Sequence, residues 1–332
     1  MTATKRHVPL FLGLISGLVC LMIISLSIGE SSMSPLEVVR VLFGKSTADM
    51  ALIITNIRLP RILAACIGGG SLALSGLMLQ SLTRNPLADS GILGINAGAG
   101  MAITLVISYS TSNSLTSRQG LPLMTISGAM ATIVLVYLLS LRHGHIDPIR
   151  LIVTGVGLST MLSSLMIALV GNVNRYKVDY VIHWLSGQLT GDDWSKLSIV
   201  APLLGITWLL AFSQAYNLNI MALNDEASMA LGFKIHQYRT IVLALSAILA
   251  ALSVILVGNI TFIGLIAGHT SKRLVGADHR LSLPVSLLIG MILLLLADTI
   301  GRVYLVGSNI PTGILVSILG AAYFLYLMVK MN

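Results

Sequence analysis

Charge is scarce in this chain. Of its 332 residues only 10% are Asp, Glu, Lys or Arg, against roughly 25% in soluble domains. Acid is the scarcer sign, with 12 Asp+Glu against 20 Lys+Arg and a net charge of +8. Cysteine is nearly missing: Cys20 and Cys66 both fall inside apolar runs and read as small core or lipid-facing side chains. Aromatic residues make up 5%, and the basic surplus is scattered over short loops, which argues against nucleic acid as a partner. A water-soluble fold of this size cannot hide a composition that is 55% hydrophobic. These shortages exclude a soluble enzyme, a disulfide scaffold and a disordered chain. What remains is an all-α, polytopic membrane protein.

Catalytic constellations are also missing. There is no HExxH, no GxSxG and no pair of intramembrane aspartates. Gly44-Lys45-Ser46 ends like a phosphate loop, yet Val39 stands where its first glycine belongs. His143 and His145 flank Gly144 in a short turn with no third metal ligand near. The chain therefore reads as non-catalytic, with no cofactor or metal of its own.

What is present is length in apolar runs. A membrane-crossing helix needs about 20 mostly apolar residues. Ten such segments are expected near 8–28, 60–82, 91–109, 121–141, 150–171, 195–213, 240–258, 260–270, 283–301 and 311–329. The eighth is too short for a regular span and carries Gly264 and Gly268, so a broken helix buried by its neighbours is expected. Lys5 and Arg6 before the first run put the N-terminus in the cytoplasm, and that run is too long for a signal-peptide core. Alternation then leaves 11 Lys+Arg inside and 9 outside, with Lys330 and the C-terminus cytoplasmic. Residues 29–59, 110–120 and 172–194 fall outside, the last with Trp184 and Trp194 at the interface.

Three places carry chemistry. Arg58 and Arg61 flank Leu59-Pro60 at an outer helix start, against the positive-inside trend and without an acid in the eight residues on either side. They suit headgroup contact by snorkelling or the docking of an acidic partner. Asp298 is the clear intramembrane acid, and Arg302 four residues on has the spacing of a local ion pair. In the cytoplasmic segment 214–239, Asn224 can cap a short helix with Asp225 and Glu226 in its first turn. Ala227, Ala230 and Leu231 then form a narrow apolar face that Gly232 ends. Two turns alone are unstable in water, so that face must pack on a membrane surface or, as its small residues favour, in a groove of another protein.

Six ordered motifs make this chain resemble the permease family of bacterial ABC importers for iron-siderophores, haem and vitamin B12 (FecCD-type, BtuC-like), from about residue 50 to 326. They are Arg58-Leu59-Pro60-Arg61, Thr83-Arg84-Asn85-Pro86-Leu87-Ala88-Asp89 with the glycine-rich stretch Gly91–Ala99, Trp184-Leu185-Ser186-Gly187, Asn224–Ala227 with Leu231-Gly232, Phe262–Ala267 with His269, and Asp278-His279-Arg280. The resemblance implies ten helices per subunit, two subunits around one pathway (two copies or a sister permease), two cytoplasmic ATPase subunits that bind the ATP, and a binding protein delivering cargo from outside. It implies docking of that protein by Arg58, Arg61 and Arg302, a cytoplasmic gate at Asn85 and Leu87, and ATPase coupling through Asp225, Glu226, Ala227, Ala230, Leu231 and Gly232.

Some positions depart from the pattern. Gly268 replaces a usual Pro, which is expected to loosen the eighth helix. Asn309 replaces the Glu before Ile310-Pro311, and Ala321-Ala322-Tyr323-Phe324 replaces a Pro-aromatic pair. The resulting expectation is one transmembrane permease domain over 1–332, with 214–239 as its coupling segment. It would sit in the bacterial cytoplasmic membrane and move a ferric siderophore by alternating access. Haem or cobalamin are the alternative cargoes. An ion-coupled secondary transporter is the alternative class, and it would need a midplane charge that these spans lack.

Overall fold

The structure is a computed structural model. It describes residues 2–29, 33–44, 47–91, 93–109, 120–142, 145–170, 178, 181–182, 185–187, 189, 194–304 and 310–331. The calls on Lys45, Ser46, His143, Gly144, Trp184 and Asn309, and nearly all of 110–120 and 172–193, lie outside these residues.

All ten expected runs are helical. They are α1 (Thr2–Ser27), α4 (Leu59–Thr83), α5 (Ile95–Tyr109), α6 (Gly120–Ser140), α7 (Pro148–Val170), α8 (Trp194–Ser213), α11 (Ile235–Val257), α12 (Ile263–Val275), α13 (His279–Tyr304) and α14 (Thr312–Met331). Among the described residues, eight helices are long and apolar enough to cross a membrane. Short helices fill the turns at the two ends of the bundle. α2 (Pro35–Leu42), α3 (Ala48–Leu52) and a π-helical stretch (Ile53–Arg58) precede α4, whereas α9 (Ala215–Met221) and α10 (Asp225–Ala230) lie between α8 and α11. Two-residue strands β1 (Leu141–Arg142) and β2 (His145–Ile146) pair antiparallel between α6 and α7.

α4 is the axis, buried almost continuously from Pro60 to Thr83. In a bilayer lipid tails are as apolar as leucine, so helices associate by close packing and buried hydrogen bonds. α4 has the residues for both. A Cβ added at Gly69 would lie 2.4 Å from the Gly290 carbonyl of α13, and one at Gly76 2.3 Å from Cα of Gly264 in α12. Ser75 donates to the Ser246 carbonyl of α11 at 2.7 Å, and the Trp208 indole of α8 donates to Ser71 at 2.7 Å. The outer helices α1, α6, α7, α8 and α14 turn bare leucine, isoleucine and valine outward, among them Leu12, Leu138, Ile167, Leu209 and Val329.

The broken helix is real. α11 stops at Gly258 (φ 73°), and α12 begins after Phe262, a non-glycine residue with φ 69°. Its 13 residues make about 20 Å, well short of the ~30 Å hydrocarbon core. The break is stitched to its surroundings. The Phe262 N–H donates to the Asp89 carboxylate at 3.2 Å, Asn96 donates to the Ile260 carbonyl at 3.3 Å, and Asn259 donates to the Leu185 carbonyl at 3.2 Å. α12 runs on without interruption through Gly268, where loosening is the expectation from sequence. A Cβ at that position would meet the Gln80 amide at 2.7 Å, so the missing side chain seats Gln80, whose Nε2 donates to the Gly264 carbonyl at 3.3 Å.

The Gly76–Gly264 crossing is open to test. Gly76→Val forces α4 and α12 apart and should cost about 1–3 kcal/mol, the usual scale of overpacking. The expected outcome is a lower unfolding temperature in detergent and less chain in the membrane, whereas Gly13→Val, at a position facing open space, should change neither.

Candidate functional site

The end of the bundle that carries α9 and α10 holds two of the sequence-marked places side by side. α4 ends there with Arg84 in the left-handed region (φ 51°), its N–H and that of Asn85 both reaching back to the Gln80 carbonyl. Asn85 then folds the loop on itself: its Oδ1 accepts from the Leu87 N–H at 2.9 Å, the Asx-turn that an Asn-Pro pair favours. Asn85, Pro86 and Leu87 are half-buried, and Ala88, Asp89 and Ser90 are buried behind them.

α10 forms as its sequence dictates. Asn224 has extended backbone and its Oδ1 accepts from the Ala227 N–H at 2.8 Å. Gly232 closes the helix at φ 74°, with its N–H on the Met229 carbonyl and that of Phe233 on Ser228. The side that faces the bundle is polar: Ser228 is fully buried and donates to the Ile220 carbonyl of α9 at 3.0 Å. The apolar residues face away. Ala227 and Ala230 are exposed, Met229 is 49% exposed and Leu231 70%. The small-residue face that the sequence marked for packing therefore finds no cover among the described residues.

α10 is held at its first turn. The Asp225 Oδ1 accepts from Arg84 at 2.6 Å and from Arg239 of α11 at 2.9 Å. The Arg84 guanidinium also caps the Met221 carbonyl at 3.1 Å and bonds the Leu223 carbonyl. Burial alone would raise the Asp225 carboxyl, but the two arginines outweigh it and hold it below the ordinary carboxylate range. Asp225 thus joins α10 to the end of α4, one residue before Asn85. Neither arginine stands out from the sequence as a site residue. Arg84 looks like part of a turn, and Arg239 lies 14 residues beyond Asp225 with no continuous helix joining them. Nearby, the His145 ring stacks on His236 of α11 at 3.6 Å. Among the described residues no three His, Cys, Asp or Glu side chains come together as metal ligands.

The three marked arginines gather at the other end, around the last turn of α1. Arg58 is buried and donates to the Leu26 carbonyl at 2.6 Å, covering a carbonyl that the end of a helix leaves open. Arg302 donates to the Ser25 carbonyl at 2.6 Å and to its hydroxyl at 2.9 Å. Arg61 grips Asp298 with Nε and Nη2 at 3.1 and 2.8 Å, and Thr312 donates to the same carboxylate at 3.1 Å. The sequence spacing pairs Asp298 with Arg302 on one helix, but the guanidinium seated on Asp298 comes from 237 residues away. Asp298 is fully buried and the Arg61 side chain is 32% exposed.

Comparison with known proteins gives this geometry its context. The chain is 36% identical over 99% of its length, and 99% of the relative's, to the iron(3+)-hydroxamate import system permease protein FhuG of Bacillus subtilis. It is also 36% identical, over 96% of both chains, to the hemin transport system permease protein HmuU of Yersinia pestis. A solved structure of a metal-chelate type ABC transporter in an inward-facing conformation superposes with a TM-score of 0.83 at 32% identity, over 98% of this chain and 99% of the other. The model of the FecCD transport family matches residues 17–330, and the chain therefore belongs to that family of multi-pass ABC importer permeases.

Proposed function

We propose that this chain is the membrane subunit of an importer that carries a ferric siderophore into the cytoplasm, driven by ATPase subunits that dock on α10. The observation that carries this reading is the exposed face of Ala227, Ala230 and Leu231, presented by a helix whose other side is fixed to the bundle through Asp225 and Ser228. A face of small side chains admits close approach of a partner backbone. Force applied there reaches the end of α4 through Arg84, and with it the gate at Asn85 and Leu87. Glu226, exposed on the same turn, and Gly232, which ends it, complete the coupling segment within 214–239. ATP is bound and cleaved in the partner subunits, and this chain supplies no catalytic group or cofactor.

Two permease subunits, either two copies or this chain and a sister, would enclose the pathway. The α10 end and both termini then face the cytoplasm across the bacterial inner or plasma membrane. A binding protein would dock on the opposite end, where Arg61 offers charge and Arg58 and Arg302 shape the surface by fixing the end of α1. A ferric siderophore is the favoured cargo because the iron arrives already chelated, so the permease needs no ligand cluster of its own. Haem is the second reading, on the similarity to a hemin permease. An ion-driven carrier is disfavoured because the intramembrane acid Asp298 is already neutralised by Arg61.

The deciding experiment is to tag the chain, extract it gently from its native membrane and identify by mass spectrometry what co-purifies. An ATPase subunit in near-equal amount supports the importer reading. A chain that emerges alone and still transports in liposomes overturns it. Ala230→Arg and Leu231→Glu place charge on the exposed face without touching the bundle. Each should lower the co-purifying ATPase by about tenfold or more, as expected for desolvating a charge at an interface centre, with the amount of chain in the membrane unchanged.

A pH test follows from Asp225. Its carboxyl titrates below the unfolded value of ~3.9, so the contact is fully present above that value and is lost as pH falls through the lower, folded value. Amide protection of residues 225–231, corrected for intrinsic exchange, should hold at neutral pH and disappear on strong acidification. In Asp225→Asn it should be weak at every pH.

A further inference from the structure

Asp278-His279-Arg280 is a motif to which the transport reading assigns no task. The structure places it at the head of α13, against α9. The Asn219 Oδ1 of α9 accepts from the His279 backbone N–H at 2.9 Å and lies 2.7 Å from its Nδ1, while Asn219 Nδ2 donates to the Asp278 carboxylate at 2.7 Å. An amide oxygen can only accept, so Nδ1 carries a proton. The far edge of the ring meets α4, with Nε2 2.6 Å from the Ser81 hydroxyl. Ser81 in turn accepts from the Lys272 ammonium of α12 at 3.0 Å. The same hydroxyl lies 2.9 Å from the Leu77 carbonyl of its own helix, so Ser81 ties the far edge of the ring both to α4 and to α12. His279 is 2% exposed and Ser81 5%.

These contacts make a continuous polar strut from α9 through the head of α13 to α4 and α12. Its near end sits beside α10, since Ser228 of α10 is bonded to Ile220, the residue after Asn219. We propose that Asn219 and His279 are positioning residues that transmit displacement of α10 to α13 and the broken helix α12. The proposal rests on the coupling role of α10. The Asp225 clamp serves α4 and α11, and this strut serves the two helices that the clamp does not reach. A histidine suits the place because its two ring nitrogens bond in opposite directions across a rigid plane. A residue of similar size without them would fill the space and transmit nothing.

The test uses the complex of this chain with its co-purified ATPase, with and without a non-hydrolysable ATP analogue, read by hydrogen exchange. In the wild type the analogue should change protection in 225–231 and also in 263–283. In Asn219→Ala and His279→Phe the change at 225–231 should persist, while that at 263–283 should fall by about tenfold, the scale of one buried hydrogen bond. The double variant should lose no more than either single one, because the strut is cut once. His279→Gln, which keeps a donor and an acceptor, should restore most of the response. Should His279→Phe accumulate poorly in the membrane, Asn219→Ala on half-buried α9 still decides the matter. A wild-type response at 225–231 with none at 263–283, or an unaltered one in Asn219→Ala or His279→Phe, overturns the strut alone. A wild type in which 225–231 does not respond overturns the coupling role of α10, and the strut with it.

Discussion

One carboxylate between two guanidiniums holds the α10 end of this protein together. α10 has six residues, too few to be stable alone, and its apolar side faces away from the bundle. Its position is set by Asp225, which draws Arg84 from the end of α4 and Arg239 from the start of α11 to one point. At a water-exposed surface such a pair contributes little. Here Arg239 is buried and Arg84 also closes the carbonyls ahead of α10, so the charge contact, the helix caps and the turn at Asn85 form one unit. The exposed face of α10 and the loop after α4 are therefore mechanically adjacent although more than 130 residues separate them in sequence.

Much of the fold was legible because apolar length is a strong signal. All ten runs are helices, and the eighth was marked as broken by being too short. The short helix α10 was also legible, through Asn224 as its cap, two acids in its first turn and Gly232 at its end. What could not be read were partners brought together by packing. Asp298 and Arg302 have ideal spacing for a pair on one helix, yet Arg61 of α4 occupies the carboxylate because α4 and α13 pack closely, with Gly69 against Gly290. The clamp on Asp225 was hidden for the same reason, since nothing local marks Arg84 or Arg239. At Gly268 the sequence shows only a missing proline, and what fills the space it leaves, Gln80 from the neighbouring helix, comes from packing.

The two ends of the bundle treat arginine differently. Around α10 the guanidiniums serve a carboxylate on a helix that is otherwise free. Around the end of α1 they serve backbone carbonyls and a buried acid. Arg58 and Arg302 close the open end of α1 against α4 and α13, which fixes the shape of that surface; Arg58 is buried, whereas Arg61 and Arg302 are partly exposed.

The broken helix has a consequence for how the bundle can move. The first turn of α12 is met by a carboxylate from another segment, Asp89 of the loop after α4, rather than by a side chain of its own cap residue. Removing either would leave a buried carboxyl or a buried amide without its partner, each costly in a medium without water. The loop that carries Asn85 and Leu87 and the head of α12 are thus kinematically one body. Any rearrangement that displaces one of them must carry the other with it.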